Sequence, residues 1–364
     1  MESNGVTPRP NSNSIRPEAM AGTKATIAST NHITSNGAPH SRLVPTTTKT
    51  CIPLVFHEPH VETGFRQTDQ PWTYYLFSLF QIHNECMNVW THLVAFFVIL
   101  YRCWSFSFEF DFIHDPYMWP LGAEFLTTFL LYAFSSGAHC FSNKSELVHY
   151  TCFIVDYCGI GLYGLGSSIA HYWYCMHEDI FGTFPHRFAA PGGVLLSSLV
   201  CFCCSVSKTF YKRPYPFTRR LWQIGSVMAI YAWLIFPILY QLYLFLFHNY
   251  WEPSLADHFS QMFWFFLGGF FFGSDIPQRF FPGCFDFVGH SHQIFHVCIM
   301  LTSYTQLDAV YKDIQKGRQE LYATEAPTFW GTYGAVLIGL CINFCIGVVF
   351  YKISKRKIAE EKQQ

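Results

Sequence analysis

His292 and His296 have the spacing of a metal-binding pair, because residues four apart on a helix share one face. They stand at the start of an apolar stretch that continues to Leu301. A third histidine, His139, follows Ser135 by four residues in another apolar segment. Polar side chains in such segments are costly in a bilayer, so they are presumed functional. The three histidines therefore indicate metal chemistry within a membrane.

Three imidazoles predict a Zn2+ ion with one open coordination position. A catalytic zinc combines three protein ligands with a water whose pKa the metal lowers towards about 7, whereas a structural zinc normally has a fourth protein ligand. Ser135 lies one turn before His139, and Asp156 is a carboxylate within an apolar segment. We predict that these two are catalytic residues, which hydrogen-bond the metal water or orient an imidazole. The alternative is a chance HxxxH in a chain with 17 histidines, with His139 as a packing residue.

Glu85, Asn88 and His92 fall at positions i, i+3 and i+7, hence on one face of a helix. We predict a buried structural network that ties this helix to its neighbours, and direct catalysis is the alternative. Four further histidines fall near helix ends or loops and show no converging pattern: His171, His177, His186 and His248.

The composition indicates a membrane protein with several spans. The chain has 364 residues, of which 51% are hydrophobic and only 13% are charged, against roughly 25% charged in a soluble domain. The net charge is -1, so nucleic acid is not an expected partner. Most of the cysteines lie in apolar segments, where cysteine behaves as a small apolar residue, and no disulfide framework is predicted.

A bilayer crossing needs about 20 mostly apolar residues, and eight segments meet this requirement. We expect Pro237 to kink the fifth of them. The fold class is therefore all-α: a polytopic membrane helix bundle with a core of seven helices and an eighth, C-terminal transmembrane helix. The predicted segments are 86–105, 119–140, 149–173, 190–207, 221–247, 259–274, 288–309 and 328–351.

The predicted domain organisation has four parts. Residues 1–48 are rich in Ser, Thr, Asn and Pro and read as a disordered polar tail. Residues 49–84 form an amphipathic lead-in, residues 85–351 form the transmembrane helical domain, and residues 352–364 form a basic and polar C-terminal tail.

The loops carry an asymmetric distribution of Lys and Arg, which favours cytosolic N- and C-termini. With eight crossings, the side that holds both termini has more of these residues than the opposite side. On the first side are Lys144, Lys208, Lys212, Arg213, Arg219, Arg220, Arg279, Lys352, Lys355, Arg356 and Lys357; on the second are Arg102, Arg187, Lys312, Lys316 and Arg318. In this orientation all three histidines lie at the cytosolic end of the bundle.

Two other patterns concern packing. Glycines 159, 161, 164 and 166 of the third segment permit close approach of neighbouring helices. An aromatic run is most simply interpreted as surface for lipid contact and packing, and the alternative is that part of it lines an apolar ligand cavity. The run comprises Trp264, Phe265, Phe266, Phe270, Phe271 and Phe272.

An ordered set of motifs resembles the progestin and adipoQ receptor family, over about residues 50 to 350. The core motifs are Glu85-x2-Asn88-x3-His92, Ser135-x3-His139, Asp156-Tyr157-Cys158-Gly159-Ile160, Phe281-Pro282-Gly283-x-Phe285-Asp286 and His290-Ser-His292-Gln-Ile-Phe-His296. The lead-in motif from Phe56 to Arg66, the segment from Ser78 to Glu85 and the eighth hydrophobic segment are similar to the membrane progestin receptor branch, in its alpha and beta forms.

This resemblance implies zinc ligands at His139, His292 and His296, with Ser135 and Asp156 beside the metal. It implies a plasma-membrane receptor for a progestin steroid or another lipid ligand, with rapid non-genomic signalling and a G protein as a candidate partner. The alternative function is a zinc-dependent lipid amide hydrolase of the ceramidase type. A third interpretation makes zinc a structural clip between the second and seventh helices.

Overall fold

The computed structural model describes residues 43–211, 215–316 and 325–363 of the chain. Most of the polar tail predicted over residues 1–48 lies outside this part. Within the described ranges we label the long helices α1 to α9. They are α1 Cys86–Phe106, α2 Trp119–Phe141, α3 Glu146–Ala170, α4 Ala189–Thr209, α5 Phe217–Leu234, α6 Phe236–His248, α7 Leu255–Ser274, α8 Ser291–Gln315 and α9 Tyr333–Glu361.

Each predicted membrane segment corresponds to one of these helices, with α5 and α6 together forming the fifth. Four helical stretches of the described chain are long and apolar enough to cross a membrane by themselves: α1, α3 with its continuation to Cys175, α4 and α9. The α5 and α6 pair passes the same test as a bent unit. The protein is therefore a helical membrane protein, as the composition predicted.

The helices α2, α7 and α8 are less apolar, and α2 and α8 show why. Their polar side chains are buried within the bundle, where they meet other protein groups. In α2 these include Glu124, Thr127, Thr128, Ser135 and His139, and in α8 they include Gln293, His296, Thr302, Ser303, Gln306 and Asp313. Such residues lower the mean hydropathy of a helix, although their side chains contact protein and not lipid.

The helix α3 lies in the interior of the bundle, since 78% of its most apolar window is buried compared with 28% for α1. Its glycines allow close packing. A Cβ on Gly161 would lie 2.5 Å from the carbonyl oxygen of Ser197 in α4, and a Cβ on Gly166 would lie 2.9 Å from that of Ala123 in α2. The predicted use of these glycines for close helix approach is therefore confirmed.

The predicted kink occurs where α5 gives way to α6, with an angle of 58°. Pro237 is in the first turn of α6, where its ring fits the start of a helix but not the interior of one. At the other end of the chain, α9 continues past residue 351 to Glu361. The ion pair between Arg356 and Glu360, four residues apart, supports this extension.

The lead-in folds over one end of the bundle. Ile52, Phe56, Val61 and Phe65 are buried together, and an isolated antiparallel bridge joins Thr47 to Phe65. A short helix, Trp72–Phe77, follows and contacts α2. The lead-in thus reaches the end of α2 that carries His139.

Candidate metal centre

The structure brings His139, His292 and His296 together. His139 is in the last turn of α2, and the other two are near the start of α8. One ring nitrogen from each lies within 4.8 Å of the others. His139 and His296 are buried, while His292 is half-buried. The end of one helix and the beginning of another therefore form a three-imidazole cluster from residues 153 positions apart in sequence.

The spacing of two ring nitrogens suits zinc. The Nε2 atoms of His139 and His292 are 3.3 Å apart. Zinc–nitrogen bonds of about 2.0–2.1 Å at a tetrahedral angle place two ligand nitrogens about 3.3–3.4 Å apart. Without an ion, two imidazole lone pairs would face each other at this distance unless one nitrogen carried a proton.

Hydrogen bonds at the Nδ1 atoms orient two of the rings. His139 Nδ1 is 2.7 Å from Glu85 Oε2, so it donates to this carboxylate and leaves Nε2 for the cluster. His296 Nδ1 donates to the Asn88 carbonyl oxygen at 3.2 Å and to Thr91 Oγ1 at 3.1 Å. Metal-binding histidines usually make a bond of this kind with the second ring nitrogen. His139 and His296 therefore carry the proton on Nδ1, which leaves the lone pair of Nε2 for a metal.

The face formed by Glu85, Asn88 and His92 meets this cluster directly. Asn88 Nδ2 donates to Glu85 Oε2 at 2.6 Å, which joins two residues of the predicted polar network. The His92 ring stacks on the ring of His296 with centroids 3.6 Å apart. The predicted network therefore lies around the imidazoles, where it fixes their rings as well as joining helices.

A neutral histidine precedes α1. His83 Nδ1 accepts a hydrogen bond from the Glu85 backbone N–H at 3.1 Å. Burial, together with the nearby positive charge of Arg66, lowers the pKa of His83 to about 2. The ring is therefore neutral in physiological solution and can accept this bond, which fixes the backbone at Glu85.

Arg66 holds the backbone of α2 at the histidine cluster. Its guanidinium is fully buried and donates to the carbonyl oxygens of His139 at 2.7 Å and Cys140 at 2.6 Å. It also donates to Ser78 Oγ and Asn143 Oδ1. The last carbonyls of a helix lack partners in the helix and attract positive charge, so Arg66 caps α2 beside the ligand.

Asp286 joins the loop before α8 to the lead-in. Its carboxylate accepts bonds from the backbone N–H groups of Glu62 at 3.1 Å and Thr63 at 2.8 Å, and from the Thr63 hydroxyl at 2.7 Å. The lead-in contacts α2 through Arg66 and the α8 loop through Asp286. It therefore contacts both the end of α2, which carries His139, and the loop before the start of α8, which carries His292 and His296.

A cavity of about 970 Å³ opens beside the histidines. Ser135 and Asp156 line it together with the three imidazoles. Its walls include aromatic residues of α7, namely Phe265, Phe266, Phe270 and Phe272. The interpretation of part of the aromatic run as a cavity lining is therefore confirmed. Its size falls at the upper end of the range of about 300–1,000 Å³ for small-molecule pockets.

The residues present fit a zinc ion with an open position. Three imidazoles converge, and the buried Ser135 hydroxyl lies beside the Asp156 carboxylate. A hydroxyl that donates to a carboxylate keeps lone pairs, which could accept a hydrogen bond from a water on the metal. A carboxylate, Asp156, lies in the same cavity wall. The arrangement is thus suited to polarising water or a carbonyl group beside an apolar chamber.

Three residues beside the histidines had no predicted role, namely Arg66, Thr91 and Asp286. Arg66 and Asp286 were visible only as members of motifs, and Thr91 carried no signal of its own. The structure also assembles a second cluster, His171, Cys175 and His258, at the other end of the bundle. His171 had shown no converging pattern in the sequence, because its histidine partner, His258, lies on a separate helix.

Comparison with known proteins gives consistent matches. A model of the family described as Haemolysin-III related matches residues 80–307. The chain is 37% identical over 267 residues to membrane progestin receptor alpha of Cynoscion nebulosus, which covers 73% of this chain and 76% of that protein. It is 36% identical to human membrane progestin receptor beta, over 76% of this chain and 78% of that protein. It is 33% identical to human membrane progestin receptor gamma, over 82% of this chain and 90% of that protein.

Proposed function

The chain belongs to the haemolysin-III-related family of progestin and adipoQ receptors, in the branch of the membrane progestin receptors, and from this we propose that it is a membrane receptor for progestin steroids. Its ligand chamber is the cavity beside the histidine cluster. The relatives supply the ligand class through their names, and the cavity supplies a place of suitable size and character.

The cavity supports this proposal in two ways. Its walls are mainly apolar, which suits the rings of a steroid. A few polar groups also line it, among them Gln223, Gln306 and Tyr163, and these can hydrogen-bond oxygen atoms on a ligand. Apolar burial with a small number of directed polar contacts is the usual basis of recognition for such molecules.

Filling the cavity should block the steroid. Gly269 lies in the cavity wall, and a Cβ on it would meet nothing within 4 Å. Gly269→Trp should therefore fit structurally but weaken saturable progestin binding by purified protein at least about tenfold, a loss of about 1.4 kcal/mol. Gly225→Trp is the matched control, because Gly225 also faces open space but lies outside this cavity. Absence of saturable binding by monodisperse wild-type protein would reject the receptor proposal.

We propose further that His139, His292 and His296 bind zinc. When bound, zinc would supply a Lewis acid and a water of lowered pKa. Glu85 and Asn88 hold two imidazoles in the required tautomers, and the walls of α5 and α7 limit access of bulk water. Ser135 can hydrogen-bond an oxygen at the open position, and Asp156 can hold a proton taken from it.

A zinc-dependent hydrolase of lipid amides is the second candidate. The observation that favours it is the presence of Ser135 and Asp156 with the imidazoles in one cavity. An acyl chain would lie along the aromatic wall while Asp156 accepts the proton of an attacking water. Release of fatty acid from ceramide by wild-type protein, lost in Asp156→Asn with zinc content unchanged, would support hydrolysis. No release by zinc-loaded protein would reject it.

The structural interpretation of zinc can be separated from the catalytic one. If the ion only joins α2 to α8, His292→Ala should lower stability and steroid binding together. If it serves chemistry, the variant should lose hydrolysis while the fold is retained. Metal content, steroid binding and ceramide hydrolysis measured on one preparation, with and without His296→Ala, distinguish these cases.

We also propose location in the plasma membrane with both termini in the cytosol, and coupling to a G protein. The loop charges support the orientation. Epitope tags at the two termini should be reached by antibody only after permeabilisation, and labelling of either tag on intact cells would contradict it. Progestin-stimulated nucleotide exchange in membranes containing this protein tests the coupling.

A further inference from the structure

A second group of potential metal ligands lies at the opposite end of the bundle. His171 and Cys175 belong to a π-helical turn that continues α3, and His258 is in the first turn of α7. All three are fully buried, and one ligand atom from each lies within 4.8 Å of the others. Asp313, near the end of α8, contacts His258, whereas the first cluster involves the start of α8. The two clusters are thus about 25 Å apart along this helix.

A hydrogen bond on the side of the ring that faces away from the cluster fixes the tautomer of His171. Its Nδ1 atom is 2.7 Å from the carbonyl oxygen of Ser167, which can only accept, so Nδ1 carries the proton. The Nε2 atom faces amide nitrogens of Gln261 at 3.1 Å and Gln306 at 3.5 Å. Both groups are donors, so Nε2 presents its lone pair to them.

His258 is oriented in the same manner. Its Nε2 atom is 3.0 Å from Asp313 Oδ2, so it donates its proton to that carboxylate. Its Nδ1 atom faces the Gln261 amide nitrogen at 2.8 Å and therefore carries the lone pair. A carboxylate behind one histidine and a backbone carbonyl behind the other are the outer partners that metal-binding imidazoles usually have.

The Gln261 amide nitrogen occupies the point on which the two lone pairs converge. It donates to both rings, as an electropositive centre would. At the other end of the same amide, Gln261 Oε1 is buried without a hydrogen-bond partner among the described residues. An unsatisfied buried oxygen of this kind destabilises by about 1–3 kcal/mol. The amide therefore fills this position imperfectly.

The π-helical turn brings the sulfur to the same place. Such turns are rare and are found frequently at functional sites, because the wider turn changes which side chains meet. Here the turn runs from His171 to Cys175, so it contains two of the three ligands. Imidazole nitrogen and cysteine thiolate are both ligands that zinc accepts.

We propose that His171 Nε2, His258 Nδ1 and Cys175 Sγ bind a second zinc ion, with the Gln261 amide displaced. Binding replaces the S–H bond of Cys175 by a sulfur–zinc bond and releases one proton to solvent. Asp313 remains outside the ligand set as the partner of His258. This site differs from the first in its thiolate ligand, which gives it a distinct spectroscopic signature.

Cobalt substitution tests the proposal on the full-length protein. Co2+ bound to a thiolate shows a sulfur-to-metal charge-transfer band in the near ultraviolet, and the three imidazoles of the first site cannot produce this band. We expect the band in the wild type and in His296→Ala, and its loss in Cys175→Ser. Cys103→Ser, a partly buried cysteine outside both clusters, is the matched control and should retain it.

Metal content gives an independent measurement. Wild-type protein should hold two zinc ions per chain, while His296→Ala and Cys175→Ser should each hold one. A monodisperse elution profile establishes that each variant is folded, and steroid binding is a second check for Cys175→Ser, since Cys175 is not a residue of the proposed ligand cavity. His258→Ala provides a second way to remove the site if Cys175→Ser does not fold. A folded wild type without the charge-transfer band, or a band that persists in Cys175→Ser, would overturn the proposal.

Discussion

At the scale of single residues, His139 is held on two sides by different means. Glu85 accepts a hydrogen bond from its ring, and Arg66 donates one to its backbone carbonyl. The sequence predicted that Glu85 shares a helix face with Asn88 and His92, because this follows from periodicity alone. It did not reveal that Glu85 meets His139, because that contact depends on how α1 packs against α2.

We expect Glu85→Gln to weaken zinc binding at the first site. The glutamine keeps an oxygen that can accept from His139, but it lacks the charge that makes the imidazole a better ligand. Loss of such an outer partner typically costs about 10–100-fold in metal affinity. Competition with a chelator on purified protein measures the change. Glu124→Gln is the control, since Glu124 is another buried glutamate of the bundle and is not a partner of the histidines; equal affinities in the two variants would contradict the role of Glu85.

Arg66→Ala should destabilise the fold. The substitution leaves carbonyl oxygens at the end of α2 buried without a partner, and a hydrogen bond from a charged donor contributes about 1.5–3 kcal/mol. Unfolding in detergent by heat or denaturant measures the loss. Arg356→Ala removes an exposed arginine of α9 and should change the free energy of unfolding by less than about 1 kcal/mol. Equal stability of the two variants would show that Arg66 is not a structural cap.

At the scale of helices, hydrophobic length predicted a long helix at each of the eight segments, and Pro237 predicted the bend in the fifth. The ends were less predictable. The charged residues after 351 indicated a tail, but pairs such as Arg356 with Glu360 continue α9 as helix. The π-helical turn after α3 left no pattern in the sequence, and it packs against α6 and α8, which only the folded bundle brings beside it.

Because α3 packs closely against α4, we expect a larger side chain at Gly161 to lower the stability of the fold. In Gly161→Ala the new Cβ would lie 2.5 Å from the Ser197 carbonyl oxygen, so one helix must shift. Overpacking of this kind costs about 1–3 kcal/mol. Gly225→Ala, where a Cβ meets nothing within 4 Å, should be neutral or more stable by up to about 1 kcal/mol. Thermal unfolding of the two variants compares them, and an equal effect would argue against tight packing at Gly161.

At the scale of the whole molecule, the proposed ions join helices that are distant in sequence. The ligands at 139, 292 and 296 were predicted because a spacing and a loop-charge pattern both pointed to one membrane face. The cluster of His171, Cys175 and His258 was not predicted. His171 and Cys175 have the same four-residue spacing as His292 and His296, but no sequence pattern links them to His258 in α7. Sequence periodicity shows which residues share a face of one helix. It does not show which helices pack together, and a site shared among helices depends on that packing.

Removing zinc should therefore lower the stability of the entire bundle. A ligand at a free concentration one hundred times its dissociation constant stabilises the folded state by about 2.7 kcal/mol. Chelation should lower the midpoint of thermal unfolding accordingly, and added zinc should restore it. The double variant His292→Ala, Cys175→Ser lacks a ligand at each proposed site and should not respond. A wild type whose midpoint is unaffected by chelation would count against bound zinc.

The separation of His139 from His292 by 153 residues also sets an order of events during synthesis. At about 5–20 residues per second, the ribosome reaches α8 roughly 8–30 s after it completes α2. Until then the nascent chain offers only one of the three imidazoles, while Arg66 and the lead-in can already cap α2. If the imidazoles bind zinc as proposed, metal loading at this end is a late step of biogenesis, and a chain interrupted before α8 lacks two of the three ligands.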